Sequence, residues 1–143
     1  MGRVLGGGIR AGSLVLIGGG PGLGKSTLLL QLAALAAAAP PWQAPAGSPL
    51  AEVSDRVLYI TGEEAADQVA DRAERLQVDD HGRVDVLCEN NMDTILEVLH
   101  ERKPKLAILD SVQTVSLADV SGSNGSVSQV LCPFTEAQLW API

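Results

Sequence analysis

The stretch that most restricts the fold is Gly19-Gly20-Pro21-Gly22-Leu23-Gly24-Lys25-Ser26-Thr27, a full match to the pattern G-x-x-x-x-G-K-[ST]. It follows the apolar run Ser13-Leu14-Val15-Leu16-Ile17 and leads into Leu28-Leu29-Leu30-Gln31-Leu32-Ala33-Ala34-Leu35. The order is therefore strand, loop and helix, which is the context the pattern requires. Glycine-rich backbone can curl tightly enough to aim several N–H groups at one spot, and a polyphosphate needs that arrangement. Gly19, Gly20, Gly22 and Gly24 supply it. Lys25 then places its ammonium on the terminal phosphates, Ser26 offers its hydroxyl to Mg²⁺, and the helix start adds partial positive charge. ATP and Mg²⁺ are the expected ligands, with Lys25 read as catalytic as well as binding.

The rest of the chain alternates in the same way. Arg56-Val57-Leu58-Tyr59-Ile60-Thr61 is a continuous apolar strand of the kind buried on both faces of a parallel sheet. Ala66, Val69, Ala73 and Leu76 then fall on one face of a helix, with Asp67, Asp71, Arg72 and Arg75 on the other; the two arginines read as solvated charges. Val84-Asp85-Val86-Leu87-Cys88 is a third strand, Asp93 can cap a helix that Pro104 stops, and Leu106-Ala107-Ile108-Leu109-Asp110 is a fourth strand. Such alternation implies βαβ units, an α/β fold and a parallel sheet with flanking helices. Residues 1–12 read as a glycine-rich loop and residues 40–54 as a proline-rich connection.

Asp110 ends an apolar strand, where a carboxylate can hold Mg²⁺ through its water shell, so Ser26 and Asp110 form the expected metal side. Glu63 and Glu64 follow the second strand, at the edge where parallel strands gather around a ligand. A glutamate there can polarise a water for attack on the γ-phosphate, and Glu63 is the first choice; the alternative is that both acids only charge the first turn of the next helix. Ser111, Gln113 and Thr114 are placed to sense the γ-phosphate and pass the signal into the loop that follows.

With 143 residues, 46% hydrophobic and 19% charged, the chain fits one globular domain whose core is aliphatic, because only Trp42, Tyr59, Phe134 and Trp140 are aromatic. A formal net charge of −7 argues against strong non-specific attraction to nucleic acid, so any DNA contact is local or shared with partner chains. Cys88 and Cys132 stand too far apart for a zinc pattern and read as buried small residues. His81 and His100 read as surface residues. No leader segment is evident and the longest apolar run is short of a membrane span, so a soluble intracellular protein with no membrane partner is expected.

Six ordered segments carry a resemblance. They are Leu5-Gly6-Gly7-Gly8-Ile9, the loop from Gly19 to Thr27, Tyr59-Ile60-Thr61-Gly62-Glu63-Glu64, Arg72-Ala73-Glu74-Arg75-Leu76, Leu109-Asp110-Ser111-Val112-Gln113-Thr114, and Gly125-Ser126-Val127-Ser128-Gln129-Val130. In these the chain resembles the RadA/Sms DNA-repair ATPases over roughly residues 1–130. The resemblance implies a RecA-like P-loop NTPase core, ATP hydrolysis with Mg²⁺, homo-oligomers that form hexameric rings, and action on single-stranded or branched DNA. It assigns Lys25 and Ser26 to phosphate and magnesium, Glu63 to water positioning and Asp110 to the acidic strand end. Residues 115–125 match a DNA-facing loop but hold no Lys or Arg, so contacts would come from backbone N–H and hydroxyl groups.

The family's amino-terminal four-cysteine zinc module, its Lys-Asn-Arg-Phe-Gly motif and its Lon-protease-like domain have no counterpart in this sequence. Residues 131–143 diverge from the family. The strand that in RecA-like cores inserts between the phosphate-loop strand and the acidic strand is also missing, which leaves the sheet incomplete at the C-terminus and the chain looking truncated. Two other functions fit parts of the pattern. A small-molecule P-loop kinase is disfavoured by the Glu63-Glu64 pair and the lack of an arginine-rich lid, and a non-catalytic ATP-binding interaction fragment would keep the loop without turnover.

Overall fold

Three of the four expected strands form one parallel sheet in the computed structural model, which describes residues 9, 13–40, 52–79 and 81–116. The readings made above for residues 1–8, 10–12, 41–51 and 117–143, including the DNA-facing loop beyond Ser116 and the divergent tail, lie outside the described residues. Strand β1 (Ser54–Thr61) occupies the middle, with β2 (Val84–Cys88) on one side and β3 (Pro104–Asp110) on the other. In register, Tyr59 lies opposite Val86 and Ile108, and Thr61 opposite Cys88 and Asp110. The carboxyl ends of the three strands therefore share one edge.

Helices cover both faces of β1, as its unbroken apolar run demands. Val57 and Tyr59, with Ile108, pack against Leu30, Ala33 and Ala37 of helix α1 (Lys25–Ala38) and Val69 of helix α2 (Ala66–Arg75). The alternate residues Leu58 and Ile60 pack against Met92 and Ile95 of helix α3 (Met92–Arg102) and against Val115. The buried positions of α1, Leu30, Ala33, Ala34 and Ala37, recur at helical spacing, and its alanines let the helix approach the sheet closely.

The direction of α1 matters most for function. Lys105, near the start of β3, donates from Nζ to the carbonyl of Ala39 at 3.2 Å, which fixes the end of α1 at the amino edge of the sheet. A 14-residue helix runs about 21 Å and a seven-residue strand about 23 Å, so the two span the same distance. The start of α1 accordingly lies toward the edge where Thr61 and Asp110 end.

Two local readings are corrected. Asn91, not Asp93, caps α3: its Oδ1 accepts from the backbone N–H of Asp93 at 2.8 Å and of Thr94 at 3.4 Å, while Asp93 sits in the first turn, where its charge suits the helix dipole. The strand expected over residues 13–17 is not formed: residues 14–17 belong to no strand of the described sheet, and Leu14, Val15 and Leu16 are 52%, 40% and 74% exposed. The physical reason is that both edges of β1 are taken, and no described strand stands between residues 14–17 and β3.

At the amino edge, Asp55 accepts from Arg83 at 2.8 Å and Lys105 at 2.5 Å, and Arg56 holds Asp85 through two bonds of 2.6 Å. Lys105 first, then Arg83, holds the Asp55 carboxyl below its usual value. A depressed carboxylate stabilises the fold above its ordinary titration range, and that contribution is lost as pH falls through the folded value. Asp55→Asn is expected to lower the urea midpoint at neutral pH, with the difference from the parent chain shrinking toward about pH 3.

Candidate functional site

The loop before α1 is shaped by two glycines with positive φ, Gly22 at 76° and Gly24 at 78°. An added Cβ at either would meet no atom within 4 Å, so backbone conformation, not crowding, requires glycine there. Gly24 also precedes the first turn of α1 as its N-cap in the left-handed conformation. No side chain caps this helix and no acid stands in its first turn. Its leading N–H groups and the positive end of its dipole are thus open to an anion.

Lys25 Nζ donates to the carbonyls of Gly19 and Gly20, each at 2.8 Å, which folds the ammonium back over the loop. Ser26 and Thr27 are half-buried beside it. These features fit a magnesium nucleotide: open donors, a cation over the loop, and a hydroxyl at the second helical residue.

Across the same edge stands Asp110, whose Oδ2 accepts from the Tyr59 hydroxyl at 2.7 Å. Tyr59 is fully buried, and burial first, then its bond to Asp110, pushes the phenol far above its usual value. It therefore stays protonated and donates. In the sequence Tyr59 reads as one residue of a continuous apolar strand; the signal for more is its hydroxyl within an aliphatic run, which when buried needs a partner.

The two glutamates part company. Thr61 Oγ1 accepts from the backbone N–H of Glu64 at 3.1 Å and of Glu63 at 3.4 Å, which turns the chain sharply after β1. The Glu64 carboxylate is then engaged by Arg72 of α2, while its Oε2 and the Nη1 of Arg72 are buried without partners among the described residues. Arg72 is not the solvated charge expected from its helix face, because α2 starts just beyond the turn and brings position 72 back over Glu64. Glu63 is exposed, with no side-chain partner among the described residues.

The loops after the strands also lock together. A Cβ on Gly62 would lie 2.3 Å from Thr114 Oγ1 and 2.8 Å from Thr114 Cβ, so only glycine allows this approach. Thr114 in turn donates from Oγ1 to the Ser111 carbonyl at 2.8 Å, within a short 3₁₀ turn that contains Gln113. Ser116 donates its N–H to Asn90 at 2.9 Å and accepts from Met92 at 3.0 Å. Cys88, expected to be buried, is exposed, since it ends the edge strand β2. One groove runs along α2 and another across residues 61–65 and 88–90, and neither is lined by the glycine loop.

A glycine loop opening a helix over a parallel sheet, with an acidic strand end on the same edge, defines a P-loop NTPase core of the RecA-like kind. The AAA domain family matches residues 3–137, and the chain belongs to that family. It is 48% identical over 129 residues to the DNA repair protein RadA of Halalkalibacterium halodurans and 45% identical over 128 residues to that of Bacillus subtilis. It is also 44% identical over 130 residues to RadA of Salmonella typhimurium. Each alignment takes in 90% of this chain, which spans about a quarter of the length of these relatives: 25%, 25% and 24% respectively. Among the described residues no helix is long and apolar enough to cross a membrane.

The Gly62 contact yields a direct test. Gly62→Ala is expected to cost about 1–3 kcal/mol by overpacking against Thr114, read as a lower urea midpoint with unchanged slope.

Proposed function

We propose that the chain is the nucleotide-binding core of a RadA-type DNA repair ATPase, binding ATP with Mg²⁺ on residues 19–27 and hydrolysing it. The observation that carries this reading is the uncapped start of α1, set toward the edge where Asp110 and the Glu63 turn end. The loop N–H groups and Lys25 bind the phosphates. Ser26 and Asp110 are the residues that would hold Mg²⁺, which when bound would neutralise charge on the phosphate oxygens. Glu63, the acid without a side-chain partner among the described residues, orients and polarises the attacking water. Glu64 is a structural acid committed to Arg72.

The names of the relatives support a role in DNA repair, and single-stranded or branched DNA is the proposed substrate. The chain carries a net charge of −7, so DNA contact is local or shared with other subunits, in the hexameric ring that the family resemblance implies. A soluble intracellular setting accords with both. One observation favours a second reading, nucleotide binding without turnover: residues 14–17, the segment that leads into the loop, lie outside the described sheet.

Thermal unfolding of the 143-residue chain tests the first step. Saturating ATP and Mg²⁺ at a hundredfold excess over the dissociation constant should stabilise the parent chain by about 2.7 kcal/mol, and Lys25→Ala should remove that shift. An equal shift in both proteins would refute the assignment of the loop. The acids separate by variant. Glu63→Gln should keep nucleotide binding and slow phosphate release by about a hundredfold, whereas Glu64→Gln should chiefly destabilise, by about 1–3 kcal/mol, because it weakens the partner of Arg72. Phosphate release by the parent chain no greater than that of Glu63→Gln would favour the second reading.

A further inference from the structure

Tyr59 and Asp110 are 51 positions apart in sequence yet share one face of neighbouring strands. Ile108 lies directly opposite Tyr59 and packs in the same cluster beneath α1, and Asp110 is two residues further along β3, hence on that same face. One such step is about 6.6 Å, which a tyrosine ring spans when it leans along the strand. The phenol thus meets the carboxylate end-on, at 2.7 Å, and engages Oδ2. Thr61, opposite Asp110 itself, is already committed, since its Oγ1 takes the N–H groups of Glu63 and Glu64. Two side chains of β1 therefore secure the two acidic arms of the edge, Thr61 the glutamate turn and Tyr59 the aspartate.

We propose that Tyr59 is a positioning residue for the magnesium side of the site: its hydroxyl holds Asp110 through Oδ2, so that Oδ1 is presented to the water shell of the metal. This rests on the assignment of Asp110 given under the proposed function. A free carboxylate rotates about its last bond and offers either oxygen in many directions. A carboxylate pinned through one oxygen offers the other in a narrow range, at no further entropic cost when the metal arrives. The ring packs in the cluster of Leu30, Ala33 and Val69, and the hydroxyl is the part of the side chain that reaches Asp110.

Tyr59→Phe keeps the ring and removes only the bond. In the 143-residue chain, a fluorescent ATP analogue titrated in chelator should bind Tyr59→Phe and parent alike, because the glycine loop is untouched. With the analogue bound, the Mg²⁺ concentration giving half of the metal-dependent signal should rise about three- to tenfold in Tyr59→Phe, the worth of one hydrogen bond. Asp110→Asn should abolish the metal-dependent part, and adding Tyr59→Phe to it should change nothing more. An unchanged half-saturating Mg²⁺ in Tyr59→Phe, with Asp110→Asn still effective, would overturn the role of Tyr59 alone. No effect of Asp110→Asn would overturn the magnesium assignment and the proposal with it.

A second readout leaves the fold intact. Tyr59 is the only tyrosine in the chain, so uniform 3-fluorotyrosine labelling gives one ¹⁹F resonance. With nucleotide present, that resonance should move on addition of Mg²⁺ in the parent and stay fixed in Asp110→Asn. A resonance indifferent to Mg²⁺ in the parent would refute the proposal.

Discussion

Everything in this fold leans on the burial of β1. Residues Val57, Leu58, Tyr59, Ile60 and Thr61 are all buried, and the strand is paired along both edges, so its backbone groups are satisfied and its side chains feed two cores at once. Alternation does the sorting: odd positions meet α1 and α2, even positions meet α3. Because β1 cannot shift by one residue without exchanging those two cores, the register that sets Thr61 beside Asp110 is fixed as firmly as the hydrophobic core itself.

The site is a consequence of that fixed register. Parallel pairing brings three strand ends to one edge, and α1, running against the strands, returns its positive start there. The edge then gathers the acids Glu63, Glu64 and Asp110. Their charge is managed by individual tethering: Arg72 takes Glu64, Tyr59 holds Asp110 by a neutral hydrogen bond, and Glu63 is left exposed. A neutral donor orients a carboxylate without cancelling its charge, whereas a cationic partner such as Arg72 neutralises the acid it holds.

The glycine at 62 shows how tightly the edge is drawn together. Its missing Cβ allows Thr114 to touch the turn that carries Glu63, and the same segment reaches Asn90 through Ser116. The turns after β1, β2 and β3 are therefore one connected surface, so that displacement of the segment after Asp110 would be felt at Glu63 through van der Waals contact.

Local chemistry was legible in the sequence because each signal is written within a few residues. The glycine loop and α1, the continuous run of β1, the helical spacing of α2, and the apolar strand ending in Asp110 all declare themselves by period or motif, and all appear in the structure. What the tertiary structure alone decided depends on which distant segment becomes a neighbour. The partner of Tyr59 lies 51 residues on, and Arg72 turns inward only because α2 folds back over its own leading turn. Residues 13–17 have the composition of a buried strand, yet composition specifies a preference for burial and not the strand that must lie alongside. The loop, the helix and the acidic strand end were thus set by local sequence, while the pairing of Glu64 with Arg72, the hold on Asp110 and the place of residues 14–17 outside the sheet were set by register and by neighbours far away in the chain.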